Sequence, residues 1–441
     1  MSEFQKPKNK LEFERNFEQI KPQMNETQAY YESSRCLFCY DAPCVTACPT
    51  HIDIPLFIRQ INSGNVTGAA KTIFESNYFG NTCGKVCPTN VLCEGGCVYN
   101  LQDVKAIEIG RLQTFASSKV ISENIRLFTP GKPNGKKVAV IGAGPAGISC
   151  ACELRSKGYE VEIFEAKEKP SGLSLYGVAP YKITNEEALK EIDYLQEQFD
   201  FKINYNIQIT SKEQFDDLEE KYDAIFLGIG LGETSSIKIK GEELENCIGA
   251  VEFISELRIN QHNTKIGKKV VVLGGGNTAM DAASESARLG AEKVILSFRR
   301  SVHNLRAYDF EYDLAKSAGV EGMFNVSPVE ITGNGKVEGV KFIKTKVVNG
   351  KMENIPGSEF IEYCDMVIKA TGQTKQINIL KNINGLKTDE QGRVIADKIT
   401  FQSGNPKYFA AGDVYNGGVE VVNAVAEAKL AAVGIDKWLS S

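Results

Sequence analysis

The sequence predicts an α/β protein in which a helical, cysteine-rich N-terminal segment precedes two doubly wound parallel-sheet units. Three observations predict it. Two apolar runs, Lys137-Val-Ala-Val-Ile141 and Lys269-Val-Val-Val-Leu273, each run into glycines, as buried parallel strands do where they turn into helices. Eight of the twelve cysteines fall between Cys36 and Cys97. Between the two regions stands Thr129-Pro-Gly-Lys-Pro-Asn-Gly135, a Pro/Gly linker of the kind that separates domains.

The 441 residues suggest about three domains. They are expected at 1–128, at 136–235 with 370–441, and at 236–369, inserted between those halves. Hydrophobic residues at 42% and charged residues at 24% are the balance of an ordinary globular protein. A formal net charge of −5 supplies no positive field for nucleic acid. The charged opening stretch is not a secretory signal. No apolar run reaches the roughly 18 residues that a membrane span requires, so the expected location is the cytoplasm.

In the N-terminal segment, Leu56–Ile61 follows a helical apolar period. Cytosolic thiols stay reduced, so a dense cysteine block points to metal rather than disulfides. The first set is Cys36-x2-Cys39-x4-Cys44-x3-Cys48-Pro49 and the second Cys83-x3-Cys87-x5-Cys93-x3-Cys97. Thiolates so spaced wrap iron–sulfur clusters, and a Cys followed by Pro often ligates the other cluster of a pair. Structural zinc is the alternative, but zinc ligands come as knuckles with a longer gap between them, and zinc carries no electrons.

The first sheet unit carries Gly142-Ala-Gly144-Pro-Ala-Gly147 between a strand and a helix over Ile148–Lys157. Gly142 makes the tight turn, Gly144 lets backbone approach a pyrophosphate at the helix N-terminus, and Gly147 permits close helix–strand packing. The strand Glu160–Phe164 ends at Glu165, an acid placed to accept ribose hydroxyls. The unit closes with Lys407-Tyr-Phe-Ala-Ala-Gly412-Asp413 and a helical run from Gly417 to Lys429. This closing segment resembles that of flavoproteins of the glutathione-reductase class. The resemblance implies that Gly412 and Asp413 belong to an FAD site; on composition alone, Gly-Asp is a surface turn.

The second unit repeats the pattern with Gly274-Gly-Gly276-Asn277-Thr278-Ala279, where alanine is a permitted third residue. Its second strand is Lys293–Phe298, and at the offset where the first unit has Glu165 stands Ser297, followed by Arg299, Arg300 and Arg306. Loss of the acid removes repulsion of a 2′-phosphate and arginines grip one, which favours NADP(H) over NAD(H). The alternative is a set of surface charges, or pairs with Glu311. Neither unit has a redox Cys-x-x-Cys. Cys150 and Cys152, two apart on a helix, read as small core residues, so reducing equivalents must leave a flavin by another route.

Residues 12–120 resemble the N-terminal domain of dihydropyrimidine dehydrogenase. The resemblance rests on Arg35-Cys-Leu-Phe-Cys-Tyr-Asp-Ala-Pro-Cys44, Ala47-Cys-Pro-Thr50, Thr82-Cys-Gly-Lys-Val-Cys-Pro-Thr89, Leu92-Cys-Glu-Gly-Gly-Cys97 and Gly110-Arg-Leu-Gln-Thr-Phe-Ala116. It extends through both sheet units and is weaker to the glutamate synthase small subunit. It implies one [4Fe–4S] cluster on Cys36, Cys39, Cys44 and Cys97, and a second on Cys48, Cys87, Cys93 and Gln113, with Cys83 a spare thiol; spacing alone favours Cys83 over Gln113. One departure is Ser171-Gly172-Leu173, where the family has Gly-Gly-Leu near the flavin; that loop, with Gly172 in the cofactor site, is expected to be less tight. No FMN barrel of the family's kind is expected after the closing helix, and on that expectation the chain resembles the separate flavoprotein subunit of the bacterial NAD-dependent enzyme.

The resemblance thus implies an electron-input subunit in a hetero-oligomer. It would oxidise NAD(P)H with FAD and pass electrons through two [4Fe–4S] clusters to an FMN-containing iron–sulfur partner that reduces uracil or thymine to 5,6-dihydropyrimidines. The rivals are the small subunit of NADPH-dependent glutamate synthase and a non-enzymatic NAD(P)-binding regulator.

Overall fold

The structure, a computed structural model, describes residues 4–441. Its residues sort into two compact units. One comprises Ile20–Leu175, Lys182–Leu231 and Lys375–Ser441; the other comprises the described residues up to Gln19, Tyr176–Tyr181 and Gly232–Thr374.

In the larger unit the cysteine-bearing segment is helical because its caps and apolar stripes agree. Asn25 and Gln28 form a reciprocal capping box at the start of Glu26–Ser34, satisfying two otherwise orphan amides. Asp53 accepts from the Leu56 amide at 3.0 Å and starts the helix Ile54–Asn62. Ile54, Phe57, Ile58 and Ile61 of that helix are buried on one stripe, so the expected Leu56–Ile61 helix is present and longer than the sequence suggested. The helices Val66–Ser76, Gly80–Val86 and Ile109–Ser122 follow. The helical segment shares one hydrophobic core with the sheet that follows: Phe57, Phe74 and Leu112 belong to the same buried cluster as Val138, Val140 and Ala428.

That sheet is five-stranded and parallel, in the order Tyr408–Ala410, Ala224–Leu227, Lys137–Ile141, Glu160–Phe164, Lys202–Asn204. Strand order reverses on either side of Lys137–Ile141, the switch point where doubly wound sheets bind ligands. The helix Pro145–Ser156 follows this strand and the long helix Val421–Leu439 closes the unit. In the second unit a five-stranded parallel sheet runs Cys247–Gly249, Met366–Lys369, Lys269–Leu273, Lys293–Phe298, Glu321–Phe324. An antiparallel ribbon built on Val337–Val348 joins it. Among the described residues no helix is long and apolar enough to cross a membrane.

A buried carboxylate ties the cysteine-bearing helix Gly80–Val86 to its neighbour. Glu191, fully buried on the helix Asn185–Phe199, accepts from the Asn81 amide at 2.7 Å, the Thr82 amide at 3.0 Å and the Thr82 hydroxyl. Burial raises its carboxyl to about 7 from 4.5, against the opposing pull of those donors. The folded chain therefore keeps a proton that the unfolded chain has released. The resulting stability is complete below pH 4.5 and lost as pH rises to about 7. Glu191→Gln, which never ionises, is expected to flatten the dependence of the urea midpoint on pH across that window. Glu191→Ala leaves three donors unmet and is expected to cost about 2–4 kcal/mol.

Candidate functional site

The first glycine turn is built as a close-packed corner with one open side. The Gly142 amide donates to Phe164 O at 2.8 Å. Gly142 has φ +100°, and a Cβ there would lie 2.5 Å from Gly228 O. A Cβ on Gly147 would fall 1.9 Å from Gly142 O, whereas one on Gly144 would meet only Gly172 Cα, at 3.8 Å. The helix Pro145–Ser156 begins after Gly144 with no side-chain cap, leaving its first amides for an anion. Glu165 is held by both oxygens: Oε2 accepts from the Ala143 amide at 2.7 Å and Oε1 from the Lys167 amide at 2.8 Å.

The loop expected to be less tight is tight. The Ser171 amide donates to Ala143 O at 2.8 Å, and a Cβ on Gly172 would stand 2.9 Å from Gly144 Cα. Ser171 itself has φ +81° and a buried hydroxyl without a protein partner. It keeps the left-handed turn that glycine would take, at the cost of backbone strain. Gly412, φ +71°, lies against the same corner, since a Cβ there would meet Ala146 Cβ at 3.0 Å. Glu427 secures this loop: its Oε2 accepts from the Gly412 amide and from Asn416 Nδ2, both at 2.9 Å. Sequence reasoning missed Glu427, whose spacing from Gly412 on the closing helix was the available signal. Asp413 starts a short helical turn and burial raises its carboxyl, with Lys375 pulling the other way.

The second glycine turn opens onto a cavity of about 620 Å³, a size suited to a small-molecule cofactor. Its walls include Gly274, Gly276, Thr278 and Ala279 and, beyond the strand Lys293–Phe298, the exposed Arg299, Arg300 and Arg306. A Cβ on Gly276 would meet nothing within 4 Å, and the helix Asn277–Arg288 that follows has no side-chain cap. Asn277 is not on the cavity wall. Its Oδ1 accepts from the Tyr308 amide at 3.0 Å, which, with the Arg306 amide donating to Gly275 O at 2.8 Å, folds the Arg306 segment onto the turn.

Register corrects one expectation. Ile141 pairs with Phe164, but Leu273 pairs with Ser297. The counterpart of Glu165 is therefore Phe298, not Ser297. The turn after the helix is one residue longer in the second unit, Leu289–Glu292 against Lys157–Tyr159. No acid stands at the strand end in either reading, and Arg299 follows at once.

The thiols sort into two interleaved groups. Desolvation raises Cys36, whose charged form is further opposed by Cys39 and Cys97. Desolvation, with Cys36 and Cys97, pushes Cys44 up to about 12. Cys93 is raised by desolvation, then by Glu94, Cys87 and Cys48, and Cys87 is raised first by a hydrogen bond with Cys83. Cys36, Cys39, Cys44 and Cys97 thus stand together, as do Cys48, Cys83, Cys87 and Cys93. The second group lines one cavity that also admits Gln113. Gln113 Nε2 donates to Gly80 O at 2.6 Å; a carbonyl can only accept, so Oε1 is the end of the amide left for the cavity. Cys83 and Gln113 therefore reach the same space. Among the described residues no group of three or more His, Cys, Asp or Glu is placed to hold a single metal ion. Cysteines gathered in two such groups are the donor set that iron–sulfur clusters take. The open side of each glycine turn fits a dinucleotide backbone.

Known proteins share this plan. Residues 136–428 match the family described as pyridine nucleotide-disulphide oxidoreductase, and residues 13–125 the one described as dihydropyrimidine dehydrogenase domain II, 4Fe-4S cluster. The small chain of glutamate synthase [NADPH] from Escherichia coli K12 is 35% identical over 98% of this chain and 96% of its own length. The PreT subunit of NAD-dependent dihydropyrimidine dehydrogenase from the same strain is 32% identical, over 96% and 97%. In fold, the chain is similar to Mycobacterium tuberculosis FprA in complex with NADPH, with a TM-score of 0.57 and 20% identity over 70% of this chain and 85% of that one. Most of its length matches one family and nearly all of it aligns with those two subunits: the chain belongs to the pyridine nucleotide-disulphide oxidoreductases and carries, ahead of that fold, a 4Fe-4S domain of the dihydropyrimidine dehydrogenase type.

Proposed function

We propose that the chain is an electron-input subunit that oxidises NAD(P)H with FAD and delivers electrons through two [4Fe–4S] clusters to an FMN-containing iron–sulfur partner that reduces uracil or thymine. The observation that carries this reading is the sorting of eight cysteines into two groups within the same compact unit as the first glycine turn. When bound, the flavin would take the C4 hydride of NAD(P)H, giving NAD(P)⁺, and release one proton and two single electrons to the clusters.

The chain's own part is to hold and exclude. Gly144 and the uncapped helix start receive one pyrophosphate, Glu165 a ribose, and Gly412 and Asp413 the middle of the flavin. Gly276, Thr278 and Ala279 receive the second pyrophosphate, and Arg299, Arg300 and Arg306 grip a 2′-phosphate. Hydride transfer needs orientation and no side-chain base. One cluster is assigned to Cys36, Cys39, Cys44 and Cys97, the other to Cys48, Cys87, Cys93 and Gln113. Cys83 stays a thiol, its Sγ 3.8 Å from the Asn77 amide oxygen, a neighbour that favours a donor over an anion.

Purified chain is expected to oxidise NAD(P)H with artificial acceptors and to reduce uracil only with its partner present. Uracil reduction by the chain alone would refute the division of labour. Arg299→Ala is expected to raise KM for NADPH about tenfold, the loss of one charge-assisted contact, and to leave NADH unchanged; equal loss with both removes the phosphate role. A second reading, the small subunit of an NADPH-dependent glutamate synthase, is favoured by the 35% identity over nearly the full chain and uses the same internal chemistry. Electron delivery to a glutamine-dependent synthase subunit, and not to an FMN pyrimidine reductase, would establish it.

A further inference from the structure

We infer that Asn77 donates an N–H hydrogen bond to the iron–sulfur cluster of Cys48, Cys87, Cys93 and Gln113 and thereby raises that cluster's reduction potential. The inference rests on the cluster assignment above.

Asn77 joins the helices Val66–Ser76 and Gly80–Val86 and is fully buried. Its Oδ1 accepts from the Phe79 amide at 2.9 Å. An N–H can pair only with an acceptor, so this bond fixes which end of the side-chain amide is oxygen and removes the usual flip ambiguity. Nδ2 is then the end without a protein partner, and it is buried. A buried amide donor without an acceptor is costly and rare in folded proteins. Asn77 lines the cavity that holds Cys48, Cys87, Cys93 and Gln113, and a cluster seated there presents sulfides and thiolates, all acceptors.

The direction of the effect follows from charge. Reduction adds negative charge to the cluster, and a donor aimed at sulfur stabilises the reduced form, which raises the potential. Lys21 acts in the same sense, its Nζ bonded to Cys87 O at 3.0 Å and to Thr89 Oγ1 at 3.2 Å, but it is only half-buried, whereas Asn77 sits where solvent screening is absent. Val422 shares the cavity wall and stands in the first turn of the helix that follows the Gly412–Asp413 loop. The cluster that Asn77 touches is thus the one beside the flavin segment, where a raised potential favours acceptance of the electron.

The test uses the full chain, anaerobically reconstituted. About eight irons and two reduced-cluster EPR signals in the wild type establish the clusters themselves; their absence would remove the assignment and this inference together. Asn77→Asp keeps an acceptor for Phe79 and loses the donor; Asn77→Ala loses the donor without adding charge. In both, one midpoint is expected to fall far enough to change the ratio of reduced to oxidised cluster about tenfold at a fixed poise, about 59 mV for one electron, while the other midpoint stays. Iron-replete variants with both midpoints unchanged overturn the inference, as does a fall in Asn77→Asp alone, which reads charge and not a lost donor. Where the variants fail to load iron, wild-type protein grown with nitrogen-15-labelled asparagine decides. A side-chain nitrogen coupling on one reduced cluster in pulsed EPR is expected, and its absence overturns the assignment of the donor.

Discussion

Replacing Cys97 with serine is expected to abolish the same iron–sulfur signal as replacing Cys36, and to leave intact the signal that Cys48→Ser abolishes. In the chain Cys48 lies beside Cys44, and Cys97 beside Cys93; in the structure each belongs to the other set. Cys97 opposes ionisation of both Cys36 and Cys44, and Cys48 opposes that of Cys93. Each single substitution should lower bound iron from about eight to about four and retain the flavin, because the glycine turns are untouched. Loss of a ligand breaks the electron path, so delivery to a one-electron acceptor should fall on the order of 100-fold, at the upper end of effects seen even for residues behind the ligands. Iron analysis with EPR checks this. If Cys97→Ser and Cys93→Ser removed the same signal, the interleaved assignment would fail.

The second large effect separates two glycines that look alike in sequence. Gly147→Ala places a methyl 1.9 Å from Gly142 O. The turn cannot retreat, because Gly142 already holds φ +100° with Gly228 O beside it. Overpacking of backbone against backbone is expected to cost about 3 kcal/mol or more, and the variant should purify without yellow colour. Gly276→Ala meets nothing within 4 Å and keeps an ordinary extended φ of −103°. It should fold with a urea midpoint near the wild type's, yet raise KM for NAD(P)H about 10–100-fold by filling the space a pyrophosphate needs. Flavin absorbance, unfolding and steady-state kinetics on the pair test this. A stable, flavin-replete Gly147→Ala would remove the packing argument, and an unchanged KM in Gly276→Ala would remove the cradle.

Much of the site was legible because its chemistry is local. A strand that stops at glycines, an uncapped helix start and a following acid lie within one short stretch. Lys137–Ile141, Glu160–Phe164, Lys269–Leu273 and Lys293–Phe298 are strands over the very residues expected. Counting residues failed where a turn changed length: the extra residue after Asn277–Arg288 moved Phe298, not Ser297, into the place of Glu165. It also failed for Ser171, where hydrogen bonding to Ala143 holds a serine in a glycine-like turn. Glu191 and Asn77 were invisible, since a buried polar residue has meaning only beside the group it meets.

The residue types, glycine patterns and cysteine spacings determined by themselves that this chain builds two parallel-sheet nucleotide units behind a metal-binding helical segment. Each of those features acts over a single turn or strand, and backbone sterics enforce it wherever it occurs. Only the tertiary structure decided which cysteines stand together, which amide end of Gln113 and Asn77 is bonded to backbone, and which glycines are packed and which are open. Those outcomes depend on side chains far apart in sequence meeting in a water-free interior, where a donor must find an acceptor and a Cβ must find room.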